Sequence, residues 1–231
     1  MDKRKVNVYI DGFNLYHAVE KLGDKYKWID LRKLSENYID EKTQKLNKVY
    51  FFSAYPIWND KKTKRHKNYV KALMSVGVTI RLGKFSEVTR KFKKKSNRII
   101  EIILGSKILD YLEKTLGDKV IPNKIEYCTH EEKRTDVNIV LQIFEDAVKN
   151  KFDDAVIISG DSDIIPIITS VRNTVEGKKF ISVLPFRSKG KDIKKCCDFS
   201  LDMEKEHLEN SLLPKEIKFG NETIKYPYNN Y

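Results

Sequence analysis

Two aspartates in the stretch VIISGDSDIIPII, Asp161 and Asp163, stand between apolar runs that a folding chain normally buries. A buried carboxylate is costly unless it is paired or binds a metal ion. Asp11 ends the apolar run KVNVYI in the same way, and Asp136 opens another apolar segment. Like charges a few ångströms apart remain ionised together only beside a cation. The four aspartates therefore predict an acidic cluster that binds a metal ion.

Mg²⁺ or Mn²⁺ is the expected cation, because oxygen ligands without histidine or cysteine favour these ions over Zn²⁺. Mg²⁺ uses one or two carboxylates, keeps several waters and leaves positions for phosphate oxygens. In phosphodiester hydrolysis such a metal activates water and neutralises the leaving oxygen. The acidic residues thus predict hydrolysis of a nucleic acid, provided that the rest of the surface attracts one.

The overall charge supports a polyanionic partner. The chain has 45 lysines and arginines against 33 acidic residues, a net charge of +12, and its pI is near 9.4. This balance is typical of proteins that bind nucleic acid. The candidate phosphate contacts lie in two basic runs, at 61–67 and 90–95: Lys64, Arg65 and Lys67, and Arg90, Lys93 and Lys94. A lysine-rich composition that only solvates the surface is the open alternative.

Strands and helices alternate along most of the chain. Apolar and β-branched runs predict strands at 5–10, 48–55, 78–85, 125–134, 152–159 and 178–185, with helices between most of them. This order predicts an α/β fold with a central parallel sheet flanked by helices. Ligands of such sheets bind beyond the carboxyl ends of the strands, where the strand order reverses. If strands 5–10 and 152–159 are central neighbours, the aspartates converge there.

The sequence also predicts one long amphipathic helix and one irregular region. The helix TDVNIVLQIFEDAVKN is expected to present Val137, Val140, Leu141, Phe144 and Val148 to the core. Residues 86–126 interrupt the alternation and predict an insertion, a basic hairpin or loop followed by a helix. We therefore expect one domain over residues 1–198 and a C-terminal extension over 199–231, whose structure the pattern leaves open.

Three segments together resemble a known family. YIDGFNLY (9–16), KRTDVNIVLQI (133–143) and SGDSDIIPII (159–168) are similar to the signature blocks of NYN domains, the LabA-like branch of the PIN-like ribonuclease superfamily. The resemblance implies a PIN-like three-layer α/β sandwich and a Mg²⁺- or Mn²⁺-dependent endoribonuclease site. It also favours RNA over DNA. The acids of that site would be Asp11, Asp136, Asp161 and Asp163.

The resemblance also implies contacts with the substrate. Asn14 matches the polar residue that follows the first acid, and Thr135 and Ser159 stand where small hydroxyl residues line the pocket; Ser162 is grouped with them. The expected partner is RNA, single-stranded or structured, and a homodimer is left open. A non-catalytic RNA-binding regulatory protein of the NYN family is the alternative function.

Most of these residues also have an ordinary structural interpretation. Asp163 could cap a helix, Asp136 could stabilise a helix N-terminus, and Asp11 with Gly12 could form a turn. Asn14 could cap a helix as well. Tyr69 and Phe92 could stack on unpaired bases, as aromatic residues do in single-strand binders, or they could belong to the core.

Several other protein classes fit the sequence poorly. A haloacid dehalogenase-type phosphatase needs a second aspartate two positions after the nucleophile, where this chain has Phe13. A Rossmann dinucleotide site needs a glycine-rich GxGxxG turn, which does not follow the first strand. No apolar run is long enough to span a membrane, so a cytoplasmic protein is expected. The four histidines and three cysteines lack metal-ligand or disulfide spacing and are expected to be surface or structural residues.

Overall fold

The structure is a computed structural model that describes residues 2–93, 124–188 and 190–228. The strands are β1 (Arg4–Asp11), β2 (Gln44–Ser53), β3 (Thr79–Leu82), β4 (Lys84–Lys93), β5 (Lys124–Lys133), β6 (Asp154–Ile158), β7 (Lys179–Leu184), β8 (Phe199–Asp202), β9 (Glu216–Phe219) and β10 (Glu222–Lys225). The helices are α1 (Gly12–Val19), α2 (Leu31–Glu36), α3 (Asp60–Ser75), α4 (Thr135–Val148), α5 (Ile165–Thr174), α6 (Lys191–Cys196) and α7 (Lys205–Glu209), with 3-10 turns at Asp24–Lys27 and Ser162–Ile164.

A six-stranded parallel sheet with helices on both faces forms the centre of the fold, which confirms the predicted α/β class. Its strand order is β3-β2-β1-β6-β7-β8, and all five neighbouring pairs run parallel. β1 and β6 are the two central strands. The chain builds the sheet outward from β1 in one direction and then from β6 in the other, so the strand order reverses between these two strands.

Side chains alternate between the two faces of β1. Val6, Val8 and Ile10 enter a core that also contains residues of α1, α2 and α3. Tyr9 enters a second core, formed with residues of α4, α5 and α6. Since successive side chains of a strand point to opposite faces, Asp11 lies on the same side of the sheet as Tyr9, at the end of the strand that faces α4.

The predicted core face of α4 is wrong for three of its five residues. Val137, Leu141 and Val148 are 58%, 60% and 54% exposed. The buried apolar residues are Ile139, Ile143 and Ala147, on the other side of the helix. α4 is apolar on both sides, so apolar periodicity alone does not define the face that packs on the sheet.

The residues after 198 take part in the central sheet and its core. β8 pairs with β7 as the sixth strand. Met203, Leu208, Leu213 and Ile224 are buried in the same core as α1. The domain boundary placed at 198 stays a prediction, but the segment beyond it is packed against the rest of the sheet.

Residues 85–131 form a separate compact unit, apart from residues 1–84 and 132–231. β4, which overlaps the insertion predicted at 86–126, and β5, which corresponds to the strand predicted at 125–134, make a two-stranded sheet separate from the central one. Residues 94–123, which include Lys94 and the expected insertion helix, lie outside the described residues, as do the side chains of Phe92 and Lys93. In the part of the chain that the structure describes, no helix is long and apolar enough to cross a bilayer.

Candidate metal centre

Three carboxylates meet where the strand order reverses. Asp11 ends β1, Asp161 follows the end of β6, and Asp136 lies in the first turn of α4. One carboxylate oxygen from each lies within 4.8 Å of the other two. Asp11 is buried, Asp161 is half-buried and Asp136 is exposed, so the group is buried at Asp11 and open to solvent at Asp136. The expected convergence of these three aspartates is therefore present.

The Asp11 carboxylate is held by four hydrogen bonds. Oδ1 accepts from the backbone N–H groups of Phe13 and Asn14, both at 3.0 Å. Oδ2 accepts from Asn14 Nδ2 at 2.6 Å and from Ser159 Oγ at 2.9 Å. A carboxylate has about four acceptor sites, so Asp11 is almost fully engaged. An ion would compete for Asp11 with these donors, whereas Asp136 and Asp161 offer acceptor sites with less competition.

Asn14 and Ser159 connect the ends of β1 and β6. Besides donating to Asp11, Asn14 accepts through Oδ1 from the Gly160 N–H at 3.2 Å. Ser159 Oγ accepts from the Asp161 N–H at 3.1 Å. Ser159 thus contacts both Asp11 and Asp161, and Asn14 contacts Asp11 and the backbone of Gly160, which precedes Asp161. The substrate contacts predicted for them stay predictions, and the observed contacts give them a positioning role.

Two glycines allow this close approach. A Cβ on Gly12 would lie 2.5 Å from the Phe52 carbonyl oxygen, so α1 could not begin so near β2 with a larger residue. A Cβ on Gly160 would lie 2.0 Å from Ser188 Oγ, so a larger residue there would require the Ser188 side chain to move. Gly12 of the DG motif is therefore required by packing rather than by backbone conformation.

Asp11 and Asp136 both have a raised pKa. Burial raises the pKa of Asp11, although its hydrogen bonds act in the opposite direction. The pKa of Asp136 is raised to about 6, first by partial desolvation of its carboxyl group and then by the charges of Asp11, Glu132, Asp161 and Asp163. Asp136 is exposed as a whole residue, so the repulsion among carboxylates is the more informative part of this shift. A cation at the site would relieve it.

Asp163 lies outside the group of three but close to it. Its charge raises the pKa of Asp136, yet its carboxylate is not among the oxygens that meet within 4.8 Å. The sequence suggested that Asp163 could cap a helix. The residue that caps the turn Ser162–Ile164 is instead Asp161, whose Oδ1 accepts from the Asp163 N–H at 2.9 Å. The neighbouring Ser162 is exposed. Thr135 is 1% exposed, and its hydroxyl has no hydrogen-bond partner among the described residues.

Glu132 also lies close to the three aspartates, which its sequence position did not indicate. Its carboxylate accepts from the Thr135 N–H at 3.0 Å and is near enough to raise the pKa of Asp136. The only signal in the sequence was its place three residues before the helix, which is typical of a helix N-terminus. Glu132 therefore adds negative charge beside the three aspartates.

His66 lies against the end of β2. Its Nε2 lies 3.1 Å from Ser53 Oγ, at the end of β2, next to the strand that ends at Asp11. Burial lowers its pKa to about 4, so the ring is neutral at neutral pH. This agrees with the structural role expected for the histidines, and it makes His66 a poor phosphate contact.

The basic residues of α3 and of the second unit have different surroundings. Lys64 and Lys67 are exposed. The Arg65 guanidinium lies over the Tyr228 ring at 5.3 Å. In the other unit, Arg90 forms an ion pair with Glu131. In the unit that contains α3, Lys64 and Lys67 are therefore the predicted phosphate contacts whose side chains are exposed.

Residues 106–204 match the family model of the NYN domain. The match to the NYN domain thus concerns this segment, which is less than half of the chain. The matched segment contains Asp136, Asp161 and Asp163, while Asp11 precedes it on the strand that pairs with β6. Two of the three converging carboxylates therefore lie in the matched segment, and β1 carries the third.

Similarity extends to one curated protein, the 6-hydroxy-3-succinoylpyridine 3-monooxygenase HspA of Pseudomonas putida. It is 28% identical over an alignment of 178 positions, and the alignment covers 73% of this chain. The match covers 55% of that protein, so the chain spans about half the length of the curated relative it matches.

A solved structure of a protein of unknown function from Vibrio parahaemolyticus has a similar fold. The two chains superpose with a TM-score of 0.52 at 16% identity, over 91% of this chain and 97% of the other. At this level of identity the likeness concerns the fold alone.

The donor set of the site suits a hard divalent cation. All three converging ligand atoms are carboxylate oxygens, which is the chemistry that Mg²⁺ and Mn²⁺ prefer. The charges of the neighbouring carboxylates contribute to the raised pKa of Asp136, so these groups repel one another. The residues present therefore fit such an ion, and the identity of the metal stays a prediction.

Proposed function

We propose that this NYN-domain protein is a metal-dependent endoribonuclease, which hydrolyses phosphodiester bonds of RNA with Mg²⁺ or Mn²⁺. The observation that carries the proposal is the meeting of the Asp11, Asp136 and Asp161 carboxylates within 4.8 Å at the reversal of strand order. The net charge of +12 supports a polyanionic substrate. The choice of RNA rests on the family resemblance.

The three converging aspartates would have different roles in this reaction. Asp136 and Asp161 would hold the ion, because their carboxylates have free acceptor sites. Asp11 would be a fixed third carboxylate, oriented by Asn14 and Ser159. A bound divalent ion would supply Lewis-acid polarisation of the phosphodiester and a water of lowered pKa. Exposed lysines of α3 would retain the RNA backbone.

A closed circular single-stranded RNA is the sharpest substrate for the test, because only an endonuclease converts it to a linear product. We expect the wild-type protein to linearise it in Mn²⁺ and to stop when EDTA is added. Asp11→Asn and Asp161→Asn should each reduce the rate by at least about 100-fold, the scale of losing an electrostatic catalytic contact. RNA affinity should change little.

Glu176→Gln is the matched control. It also removes one acidic charge, but from the turn between α5 and β7, at the opposite edge of the sheet. The control should cleave at the wild-type rate. Equal activity of the wild type, Asp11→Asn and Asp161→Asn in Mn²⁺ would reject the proposal. Salt-sensitive binding without product in any divalent ion would instead support the non-catalytic RNA-binding alternative.

The activity of the similar Pseudomonas protein, a monooxygenase, gives a second candidate function. The donor set of this chain argues for hydrolysis, because non-haem iron oxygenases use two histidines and one carboxylate. The group found among the described residues consists of three aspartates. Cleavage of the circular RNA would decide for the nuclease.

A further inference from the structure

We infer that the C-terminal segment, residues 222–228, is an autoinhibitory contact that covers cations of α3 and so competes with a polyanion for this helix. The inference rests on the proposed function and adds a regulation of its substrate binding. The contact that carries it joins Tyr228 and Arg65. The guanidinium carbon of Arg65 lies over the Tyr228 ring, 5.3 Å from its centre.

The C-terminal segment contacts two particular cations of α3. This helix carries six lysines and arginines and one acidic residue, Asp60. Four of the six are exposed: Lys61, Lys62, Lys64 and Lys67. Arg65 and Lys71 are half-buried, and Lys71 Nζ lies 2.5 Å from Glu222 Oε2 as Arg65 lies over Tyr228. The two cations of α3 with reduced exposure are therefore the two that the segment contacts.

The C-terminal segment runs along α3 toward the carboxyl edge of the sheet. It contacts the helix first at Lys71 and then at Arg65, which is six positions nearer the start of the helix, or about 9 Å along its axis. His66, the residue after Arg65, lies 3.1 Å from Ser53 Oγ at the end of β2. The part of α3 that Tyr228 covers therefore lies at the edge where the strands of the sheet end.

Tyr228 is held less firmly than the residues before it. The Tyr226 N–H donates to the Lys215 carbonyl at 2.7 Å, and the Tyr226 ring lies 6.0 Å from the fully buried Trp28. The Tyr228 hydroxyl, in contrast, forms no hydrogen bond with a residue that the structure describes. A phosphate forms bidentate, charge-assisted hydrogen bonds with arginine, which are stronger than the contact of arginine with an aromatic ring. A polyanion would therefore displace Tyr228 from Arg65 while Tyr226 stays in place.

Lys27 is a second cation beside Tyr228, with its Nζ 5.7 Å from the centre of the ring. It also forms an ion pair with Asp24 at 2.8 Å. Arg65 forms no ion pair with any acidic residue in the part of the chain that the structure describes. Arg65 is therefore the cation whose charge becomes available when Tyr228 moves, because Lys27 stays paired.

Binding of a labelled oligouridylate to the full chain tests this contact. Fluorescence anisotropy is measured in EDTA, which separates binding from cleavage, and at several salt concentrations. Tyr228→Ser removes the ring, and Tyr228→Phe, which keeps it, is the matched control. Arg65→Gln removes the charge that the ring covers, and the variant with both Tyr228→Ser and Arg65→Gln completes a double-mutant cycle.

We expect Tyr228→Ser to bind oligouridylate about fivefold more tightly than the wild type at about 0.1 M salt, with a salt slope steeper by about 0.7, because one more cation then contacts a single strand. Tyr228→Phe should bind as the wild type does. Arg65→Gln alone should change the affinity little, because the ring already covers this charge. In the double variant the gain of Tyr228→Ser should disappear.

Equal or weaker binding by Tyr228→Ser, including no binding by either protein, would overturn the inference, and so would a gain that persists in the double variant. If the ring only packs against the fold, Tyr228→Ser lowers the melting temperature and leaves the salt slope unchanged. The result is separable from the test of the nuclease. Tighter binding by Tyr228→Ser without cleavage of the circular RNA would retain the autoinhibitory contact and reject the nuclease, and cleavage with equal binding would do the reverse.

Discussion

Asp11 and Asp161 each cap the helical turn that follows them. Asp11 accepts from the N–H groups of Phe13 and Asn14, and Asp161 accepts from that of Asp163. The cap of Asp161 uses Oδ1 and leaves its second oxygen for an ion. Capping and metal binding, which the sequence presented as alternatives, are therefore compatible in one carboxylate.

The raised pKa of Asp136 predicts how metal binding depends on pH. In the metal-free protein the native state binds this proton more tightly than the unfolded chain, so the stability falls as pH rises from about 4 through about 6. A divalent ion needs the ionised form. We expect saturating Mn²⁺ to raise the melting temperature clearly at about pH 7.5 and very little at about pH 5.

Asp136→Asn tests whether the Asp136 carboxyl group causes this pH dependence. Replacing a mutually repelled carboxylate should stabilise the metal-free protein at neutral pH by up to about 1 kcal/mol, and it should remove most of the Mn²⁺ effect. Thermal unfolding with and without Mn²⁺ measures both. A pH-independent Mn²⁺ shift, kept in Asp136→Asn, would show that the ion binds elsewhere.

At the scale of elements, α4 is fixed to the sheet by a buried polar network. Asp146, 5% exposed, accepts from Tyr9 hydroxyl at 2.9 Å, Asn7 Nδ2 at 3.1 Å and Gln142 Nε2 at 3.0 Å. Burial, and then the Asp146 charge, raise the pKa of Tyr9 well above its usual range, which keeps its hydroxyl a donor. The network orients the helix whose first turn carries Asp136.

Asp146→Ala should destabilise the fold by roughly 2 to 4 kcal/mol, because it removes the shared charged acceptor of three buried donors. Urea unfolding at equilibrium measures the change. Glu145→Ala is the matched control, since it removes a neighbouring acid that forms an exposed ion pair with Lys149; we expect about 0.5 kcal/mol or less. Similar effects of the two substitutions would contradict the role of the network.

The same network explains why the face of α4 was predicted incorrectly. Apolar residues surround the helix, so their spacing fits either face, and Val137 and Leu141 were placed in the core. The deciding residues are polar. Gln142 and Asp146 are buried because Tyr9, Asn7 and Arg81 supply their partners, and those partners come from distant strands that one helix sequence cannot reveal.

At the scale of the whole molecule, the sequence predicted the sheet and the three converging acids because both follow from local patterns. Strands of buried parallel sheets are continuous apolar runs, and an aspartate after such a run lies at the carboxyl edge. Glu132 was missed because its place beside the aspartates depends on the packing of other elements. No pattern within its own segment predicts that environment.

The net charge of +12 is also unevenly distributed over this fold. The acids Asp11, Asp136 and Asp161 gather at the reversal of strand order, while α3, which begins at the same edge after β2, is strongly basic. In the proposed function, substrate attraction and metal binding would thus belong to different elements. Such a separation lets a polyanion approach an acidic site without first neutralising it.

The position of a divalent ion tests the central claim most directly, since β1, α4 and β6 must meet correctly to create its site. Crystals soaked with Mn²⁺ should show an anomalous density peak within coordination distance of the Asp136 and Asp161 carboxylates and beside Asp11. The peak should be absent in Asp161→Asn crystals soaked in the same way. Density for Mn²⁺ only at other acidic residues, or none at saturating Mn²⁺, would contradict the account.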